Sequence, residues 1–159
     1  MGSRTSVESA YIAGFLDGDG SIMLQIKKRS DTSKGYRFMA TICFYQDTRH
    51  DKSLYWIRDI LAVGYISKRN DGMTELRING FLAVRRVILE LMPCIRFKKI
   101  QAEAMIEACT ILESSRLKKL SSNQLIRIVD LILIIQNENY SSTRKKSRDE
   151  MLKMLVLTP

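Results

Sequence analysis

The chain has 159 residues, 45% of them hydrophobic, which suits a single domain with a substantial core and argues against disorder. A formal net charge of +9 favours a polyanionic partner, nucleic acid before a membrane, over a protein that is merely soluble and basic. Cys43, Cys94 and Cys109 lack the spacing of a disulfide framework or a zinc site, and they are interpreted as buried thiols in a reducing compartment. Asp130 interrupts the longest apolar run, so we expect no membrane span.

The chain is predicted to be one domain over residues 1–159. Its first residues, "MGSRTS", fit a myristoylation pattern at Gly2, but Met-Gly-Ser is also a common cloning remnant, and we favour the remnant. Residues 1–5 are therefore expected to be disordered or cloning-derived. No signal or transit peptide is evident, so the protein is expected to work in the compartment where it is made.

The first predicted element is a helix from about Ser6 to Leu16, with Ser6 as a candidate N-cap and Glu8 in the first turn. Helical spacing gives it two stripes of different size. The small stripe, which would let a second helix approach closely, holds Ala10, Ala13, Gly14 and Asp17. The large apolar stripe, expected to face the protein's own core, holds Tyr11, Ile12, Phe15 and Leu16.

Two strand pairs and further helices follow. Alternation of apolar and polar residues predicts strands in "SIMLQIKKR" and "YRFMATICFYQ", joined by the loop "SDTSKG". A second pair, "GYISKR" and "MTELRIN", flanks the turn "NDG". Helical spacing fills residues 54–62, 81–92, 98–113, 123–136 and 149–155. The predicted fold class is α+β, in the order α-β-β-α-β-β-α with extra C-terminal helices.

The stretch "DGDGS" at the end of the first helix carries two acids where the helix dipole disfavours them, so a counter-ion is expected. A calcium loop fails, because the sixth and twelfth positions from Asp17 are Ile22 and Lys28. An ordinary glycine turn remains the alternative. The carboxylate and helix-end carbonyls, including that of Gly18, also suit Mg²⁺, whose natural further partner on a basic protein is a nucleic-acid phosphate.

The stretch "YIAGFLDGDG" resembles the signature of the LAGLIDADG homing endonucleases, and the resemblance covers nearly the whole chain. The length and the single motif are those of the homodimeric branch, and "VGYI", "FKKIQA" and "SSTRKK" resemble segments of its chloroplast-intron members. The resemblance implies a two-fold dimer with an antiparallel DNA-binding sheet in each subunit. The active site would lie at the dimer interface, which the small stripe would form.

The resemblance also implies residue roles at the active site. Asp19 matches the metal-binding acid of the family, with Gly18 supplying a carbonyl, whereas Asp17 is expected to be structural. Gln46 matches a residue that positions solvent near the metal. Lys98 matches a basic residue that stabilises phosphate charge, although neighbouring Lys99 is an alternative.

One family position is unsettled in this chain. Where close relatives carry a second basic catalytic residue, four positions after Gln46, this sequence has His50 with Arg49 beside it. Either side chain could support catalysis. The alternative is that His50 is an exposed histidine without a functional role.

DNA contacts are expected from the outward strand positions and from basic loops. A two-stranded ribbon fits the major groove, where side chains read base edges, while loop cations clamp phosphates. The predicted base readers are Met23, Gln25, Lys27, Arg29, Arg37, Met39, Thr41, Cys43, Ser67, Arg69, Glu75, Arg77 and Asn79. The predicted phosphate clamps are Lys28, Lys34, Ser141, Ser142, Arg144, Lys145 and Lys146.

The implied activity is cutting of double-stranded DNA at one long pseudo-palindromic site of roughly 20 bp, leaving short 3' overhangs. Mg²⁺ is the expected cofactor, Mn²⁺ a candidate substitute, and Ca²⁺ is expected to support binding without cleavage. The alternatives are an RNA-binding intron maturase and a catalytically inactive DNA-binding protein. The resemblance suggests a DNA-containing compartment of the cell, a chloroplast or mitochondrion.

Overall fold

The computed structural model describes residues 5–139 and 144–156. It confirms the α+β class and the predicted order of elements. The helices are α1 (Ser6–Asp19), α2 (Lys52–Leu61), α3 (Phe81–Leu91), α4 (Lys99–Ser114), α5 (Ser122–Glu138) and α6 (Arg148–Met154). The strands are β1 (Gly20–Lys28), β2 (Tyr36–Asp47), β3 (Tyr65–Lys68) and β4 (Met73–Asn79), and short 3-10 helices occupy Thr48–His50 and Met92–Cys94.

The four strands form one antiparallel sheet in the order β1-β2-β4-β3. One face carries apolar side chains and packs against α1, α2, α3, α4 and α5, so the hydrophobic core lies between this face and the helices. The buried strand residues on that face are Ile22, Leu24, Ile26, Phe38, Ala40, Ile42, Phe44, Leu76 and Ile78. The period-two pattern of the sequence therefore separates the core face from the outer face.

Helix α1 begins at Ser6, as predicted, but its N-cap is one residue earlier and its end lies beyond the predicted Leu16. Its N-cap is Thr5, whose hydroxyl accepts from the Glu8 amide at 3.2 Å while the Glu8 carboxylate accepts from the Thr5 amide at 2.9 Å. This capping box replaces the predicted cap at Ser6. At the other end the helix continues through Gly18 to Asp19, with Gly20 as its C-cap.

The structure also corrects the two stripes of α1. Ala13 and Asp17 are buried within the chain's own fold, so they do not belong to the face available to a second helix. Tyr11, expected in the core, is 56% exposed and packs edge-on against Trp56, with ring centroids 5.5 Å apart. The buried residues of the helix are Ile12, Ala13, Leu16 and Asp17, so its buried face is rotated relative to the predicted one.

No helix in the described ranges is both long and apolar enough to cross a lipid bilayer.

The junction between α1 and β1 has no room for a side chain at Gly20. A Cβ built there would lie 2.8 Å from both the Cα and the carbonyl oxygen of Leu16. We expect Gly20→Ala to lower the free energy of unfolding by about 1–3 kcal/mol, because the backbone must shift to relieve the overlap. Urea unfolding followed by circular dichroism measures this. A free energy of unfolding in Gly20→Ala equal to that of the wild type would contradict the steric explanation.

Candidate active site and nucleic-acid interface

The acidic end of α1 places two carboxylates in different environments. Asp19 is the last helical residue and is exposed, and the last-turn carbonyls beside it, including that of Gly18, lack intrahelical partners. Asp17 is only 7% exposed and points into the protein. One acid is therefore free to meet a ligand and the other is committed to the fold.

Asp17 fastens α1 to the segment before α4. Its Oδ2 accepts from the Arg96 amide at 2.7 Å, and its Oδ1 accepts from the Lys98 amide at 3.0 Å. The Lys98 ammonium donates to the backbone carbonyl of Asp17. These contacts fit the structural role expected for Asp17 and fix the position of Lys98 next to the acidic helix end.

Asp19, Gly18, Gln46 and Lys98 line one cleft of about 880 Å³. Gln46 lies at the end of β2, where its Oε1 accepts from the Asp47 amide at 2.8 Å, so its side-chain NH₂ remains the group that can donate to a ligand. Burial lowers the pKa of the Lys98 ammonium below its ordinary value, and the carboxylates of Asp17 and Asp19 act in the opposite direction. The residues predicted to be catalytic thus meet in one place.

Arg49 and His50 lie in the 3-10 helix after β2 and are not among the residues that line this cleft. The Arg49 guanidinium binds the Asp47 carboxylate at 2.8 and 3.0 Å and holds the pKa of that carboxyl well below its usual range. His50 is exposed. In the isolated chain, the structure brings neither residue to Asp19.

Among residues 5–139 and 144–156, no three His, Cys, Asp or Glu side chains come together as a ligand set for a metal. The chain offers the Asp19 carboxylate and helix-end carbonyls. This donor set fits Mg²⁺, which binds through one or two carboxylates together with waters and phosphates. It fits only if further oxygens come from outside this chain, for instance a second Asp19 and a DNA backbone.

A narrow exposed stripe on α1 offers a contact surface for that second chain. Ala10, Gly14 and Gly18 follow one another at intervals of four and are exposed, flanked by Val7 and Tyr11. A Cβ at Gly14 or Gly18 would meet nothing within 4 Å. Because residues four apart share a helix face, this stripe leaves space for the backbone of another helix right beside Asp19.

The outer face of the sheet carries the predicted base readers. The register pairs Met23 with Thr41, Gln25 with Met39, Lys27 with Arg37, and it continues the same face through Cys43, Arg77 and Tyr65. Met23, Gln25, Lys27, Arg37, Met39, Ser67, Arg77 and Asn79 are half-buried or exposed there. Arg29 and Arg69 lie just beyond their strands, also exposed.

Three predicted readers are buried instead of exposed. Thr41 donates to Asn79 Oδ1 at 2.8 Å, Cys43 accepts from Arg77 Nε at 3.4 Å, and Glu75 is 7% exposed. They are short or retracted side chains on the outer face that longer neighbours cover. Burial raises the pKa of the Cys43 thiol. These three residues hold the exposed side chains of the outer face in position and form little of the surface that a ligand would contact.

Glu75 is the centre of this supporting network. Its Oε1 accepts from Arg69 Nη1 at 2.9 Å and its Oε2 lies 3.0 Å from Arg77 Nε. A glutamate that reads a base accepts from cytosine, and Glu75 would need for this the same oxygens that the two guanidiniums occupy. The carboxylate therefore orients two arginines, the side chains best suited to guanine.

Of the predicted phosphate clamps, Ser141 and Ser142 lie outside the described residues. Lys28, Lys34 and Lys145 are exposed, and Arg144 lines the cleft that holds Asp19. Lys146 is held through its backbone, which exchanges two 3.3 Å hydrogen bonds with the Gln136 side chain. The Asn139 side-chain amide donates to the Ile22 backbone carbonyl at 2.9 Å, so the end of α5 is fastened to β1.

A second basic cleft of about 780 Å³ lies at the far end of the sheet, and sequence reasoning missed two of its five cations. Its cations come from the β1–β2 hairpin and from the segment after α4, and no acidic side chain is among the described residues that line it. The missed residues are Arg116 and Lys119. The charge run "RLKK" was the available signal, but nothing local indicated that it faces Arg29, Lys34 and Arg37.

Two known proteins are similar to this chain, and a crystal structure of one of them is similar to its fold. The DNA endonuclease I-CvuI of Chlorella vulgaris is 34% identical over 98 residues, which span 62% of this chain and 61% of that protein. The DNA endonuclease I-CreI of Chlamydomonas reinhardtii is 26% identical over 145 residues, 91% of this chain and 86% of that protein. A crystal structure of I-CvuI with the I-CreI target, with Mg present and the DNA not cleaved, superposes with a TM-score of 0.85 at 25% identity, covering 94% and 93% of the two chains.

The antiparallel sheet of this chain has a basic outer face and ends beside the exposed Asp19 carboxylate. These features are typical of a protein that binds nucleic acid on a sheet and brings an acidic residue to its backbone. The sequence model of the LAGLIDADG endonuclease family matches residues 12–93, just over half of the 159 residues. The chain belongs to the LAGLIDADG endonuclease family.

Glu75→Gln tests the orienting role of this carboxylate. The variant keeps the shape of the side chain but weakens both arginine contacts. We therefore expect the free-energy difference between the preferred base and the others to fall by about 1–3 kcal/mol at the positions that Arg69 and Arg77 approach. Binding to a library of randomised targets measures it. Asp71→Asn is the matched control, since Asp71 also contacts Arg69, at 2.7 Å, but from an exposed position. An unchanged preference in Glu75→Gln would contradict the role.

Proposed function

We propose that this chain is a divalent-metal-dependent endonuclease that cuts double-stranded DNA at one long, specific site. The observation that carries the proposal is the single cleft that joins Asp19, Gln46 and Lys98 at the end of a basic sheet face. A protein that only binds DNA gains little from an exposed carboxylate beside a phosphate. The relatives named as DNA endonucleases support this proposal.

Asp19, Gln46 and Lys98 have distinct roles in the proposed reaction. Asp19, with the Gly18 carbonyl, would hold Mg²⁺, with Mn²⁺ as a candidate substitute; the bound metal supplies Lewis-acid activation of a phosphodiester for attack by water. Gln46 donates from its amide to solvent in the cleft, and the Lys98 ammonium stabilises negative charge on the phosphate. Asp17 keeps Lys98 in place through the hydrogen bonds to the Arg96 and Lys98 amides.

The proposed active unit is a homodimer. The Ala10, Gly14 and Gly18 stripe supports close packing of two α1 helices, and an isologous contact through it brings two Asp19 carboxylates together. Each subunit then reads one half-site, so the target is a pseudo-palindrome of roughly 20 bp. The organisms of the relatives support an organelle that carries intron-bearing DNA as the place of action.

Asp19→Asn is the decisive variant for this proposal. We expect Mg²⁺-dependent double-strand cuts with short 3' overhangs from the wild type, and no cuts from the variant, because the amide is a far weaker metal ligand than the carboxylate. A plasmid library of randomised targets, incubated with Mg²⁺, with EDTA and with Ca²⁺, measures cleavage and recovers the target. Binding in Ca²⁺ serves as the control for folding, since the variant retains the sheet. Tight nucleic-acid binding by a wild type that cuts nothing would instead favour an RNA-binding maturase.

Arg116 and Lys119 are proposed to contact the DNA backbone outside the base-reading surface. Neutralising both with Arg116→Gln and Lys119→Gln should lower the slope of log affinity against log salt by about 1.8 per subunit, from about 0.9 for each lost phosphate contact. The sequence preference should stay the same. Fluorescence anisotropy across a salt series measures the slope. Arg127→Gln is the control, since Arg127 is paired with Glu107 at 2.6 Å; an unchanged slope in the double variant would exclude the contact.

A further inference from the structure

Gln101 is a polar residue of the active-site cleft to which none of the roles above applies. It lies in the first turn of α4, is only 4% exposed, and lines the cleft together with Asp19, Gln46 and Lys98. Most buried side chains of α4 are apolar, such as Ala102, Met105 and Leu112. An amide at this place needs a reason other than packing.

The Gln101 side-chain oxygen, Oε1, is buried and has no hydrogen-bond partner among the residues that the structure describes. Leaving such an acceptor unpaired is unfavourable, and native proteins rarely do so. The missing partner must be a proton donor, because a carbonyl oxygen only accepts. A DNA phosphate has no proton to give, so the donor is a water or a protein N–H or O–H.

Lys98 lies three residues before Gln101, and residues at this spacing are neighbours on a helix surface. The Lys98 ammonium uses one of its three N–H groups on the Asp17 carbonyl, and the others are available to the cleft. A water that accepts from Lys98 can donate one proton to Gln101 Oε1. Its second proton then points to the open part of the cleft, which is polar and large enough for ordered water.

We propose that Gln101 is a positioning residue whose Oε1 holds a water against the Lys98 ammonium, on the side of the cleft where the DNA phosphate binds. The inference rests on the proposed endonuclease function. Gln101 transfers no proton. It fixes the direction of the water, which in turn limits the Lys98 side chain to the rotamer that faces the phosphate.

Gln101→Met separates this role from a structural one. Methionine has similar length and no acceptor, so we expect the variant to keep a melting temperature close to that of the wild type, because replacing a polar group by an apolar one of similar shape is nearly neutral. We expect the single-turnover cleavage rate on the recovered target to fall by about 10- to 100-fold, with affinity in Ca²⁺ changed by less than about twofold. Gln101→Glu keeps an acceptor at the same place and should cut faster than Gln101→Met.

A wild-type cleavage rate in Gln101→Met would overturn the proposal. If Gln101→Met has both a lower cleavage rate and a lower melting temperature, the test is a high-resolution crystal structure of the wild type bound to target DNA and Ca²⁺. A water within hydrogen-bond distance of both Gln101 Oε1 and Lys98 Nζ supports the role, and a site without that water overturns it. If the wild type cuts no library member, the proposed function fails, and the crystal structure of the protein alone still decides whether Gln101 binds the water.

Discussion

The buried carboxylate of Asp17 is the contact on which the active-site cleft depends. A negative charge at a helix C-terminus is unfavourable by itself, because the last carbonyls of the helix carry the same sign. Here the two backbone amides that bind its oxygens and the ammonium of Lys98 offset that cost. The contact joins parts of the chain that are 79 and 81 residues apart. It is the reason why Asp19 and Lys98 face the same space.

The sheet supplies the second constraint. Its inner face must stay apolar to cover the helices, and strand geometry then assigns every other residue to the outer face. The long strand β2 pairs with β1 over residues 36–44 and with β4 over residues 41–47, so residues 41–44 are paired on both sides. Readers on three strands are therefore held in one register. A rigid core thus fixes the spacing of the side chains that meet DNA.

Strand periodicity predicted the fold well because alternation of apolar and polar residues is a local property. The outer-face membership of Gln25, Met39 and Arg77 followed directly from it. The end of α1 was predicted too early, since Gly18 and Gly20 are strong local stop signals, while the tertiary contact that extends the helix is made by Asp17 with a distant segment. Helical spacing separated small from large residues, but it could not tell which stripe the sheet would cover.

The errors at the candidate site have a similar origin. Thr41, Cys43 and Glu75 occupy the predicted face, but their exposure depends on how far the neighbouring arginine, asparagine and tyrosine side chains extend. Lys98 and Asp19 were paired by resemblance alone, because no local pattern relates a helix end to a residue so far along the chain. Tertiary packing, which a single sequence does not display, decides all of these points.

The shared hydrogen bonds on the outer face have a consequence for how such a protein can change its target. Arg77 Nε lies 3.0 Å from Glu75 and 3.4 Å from Cys43, and Glu75 also binds Arg69. Substitutions at contacting positions do not add, so the best residue at one position depends on the others. Base preference here is therefore set jointly by a group of four side chains on two strands and the adjoining turn. A lineage that adapts to a drifting DNA site would have to change this group together or pass through intermediates of relaxed preference.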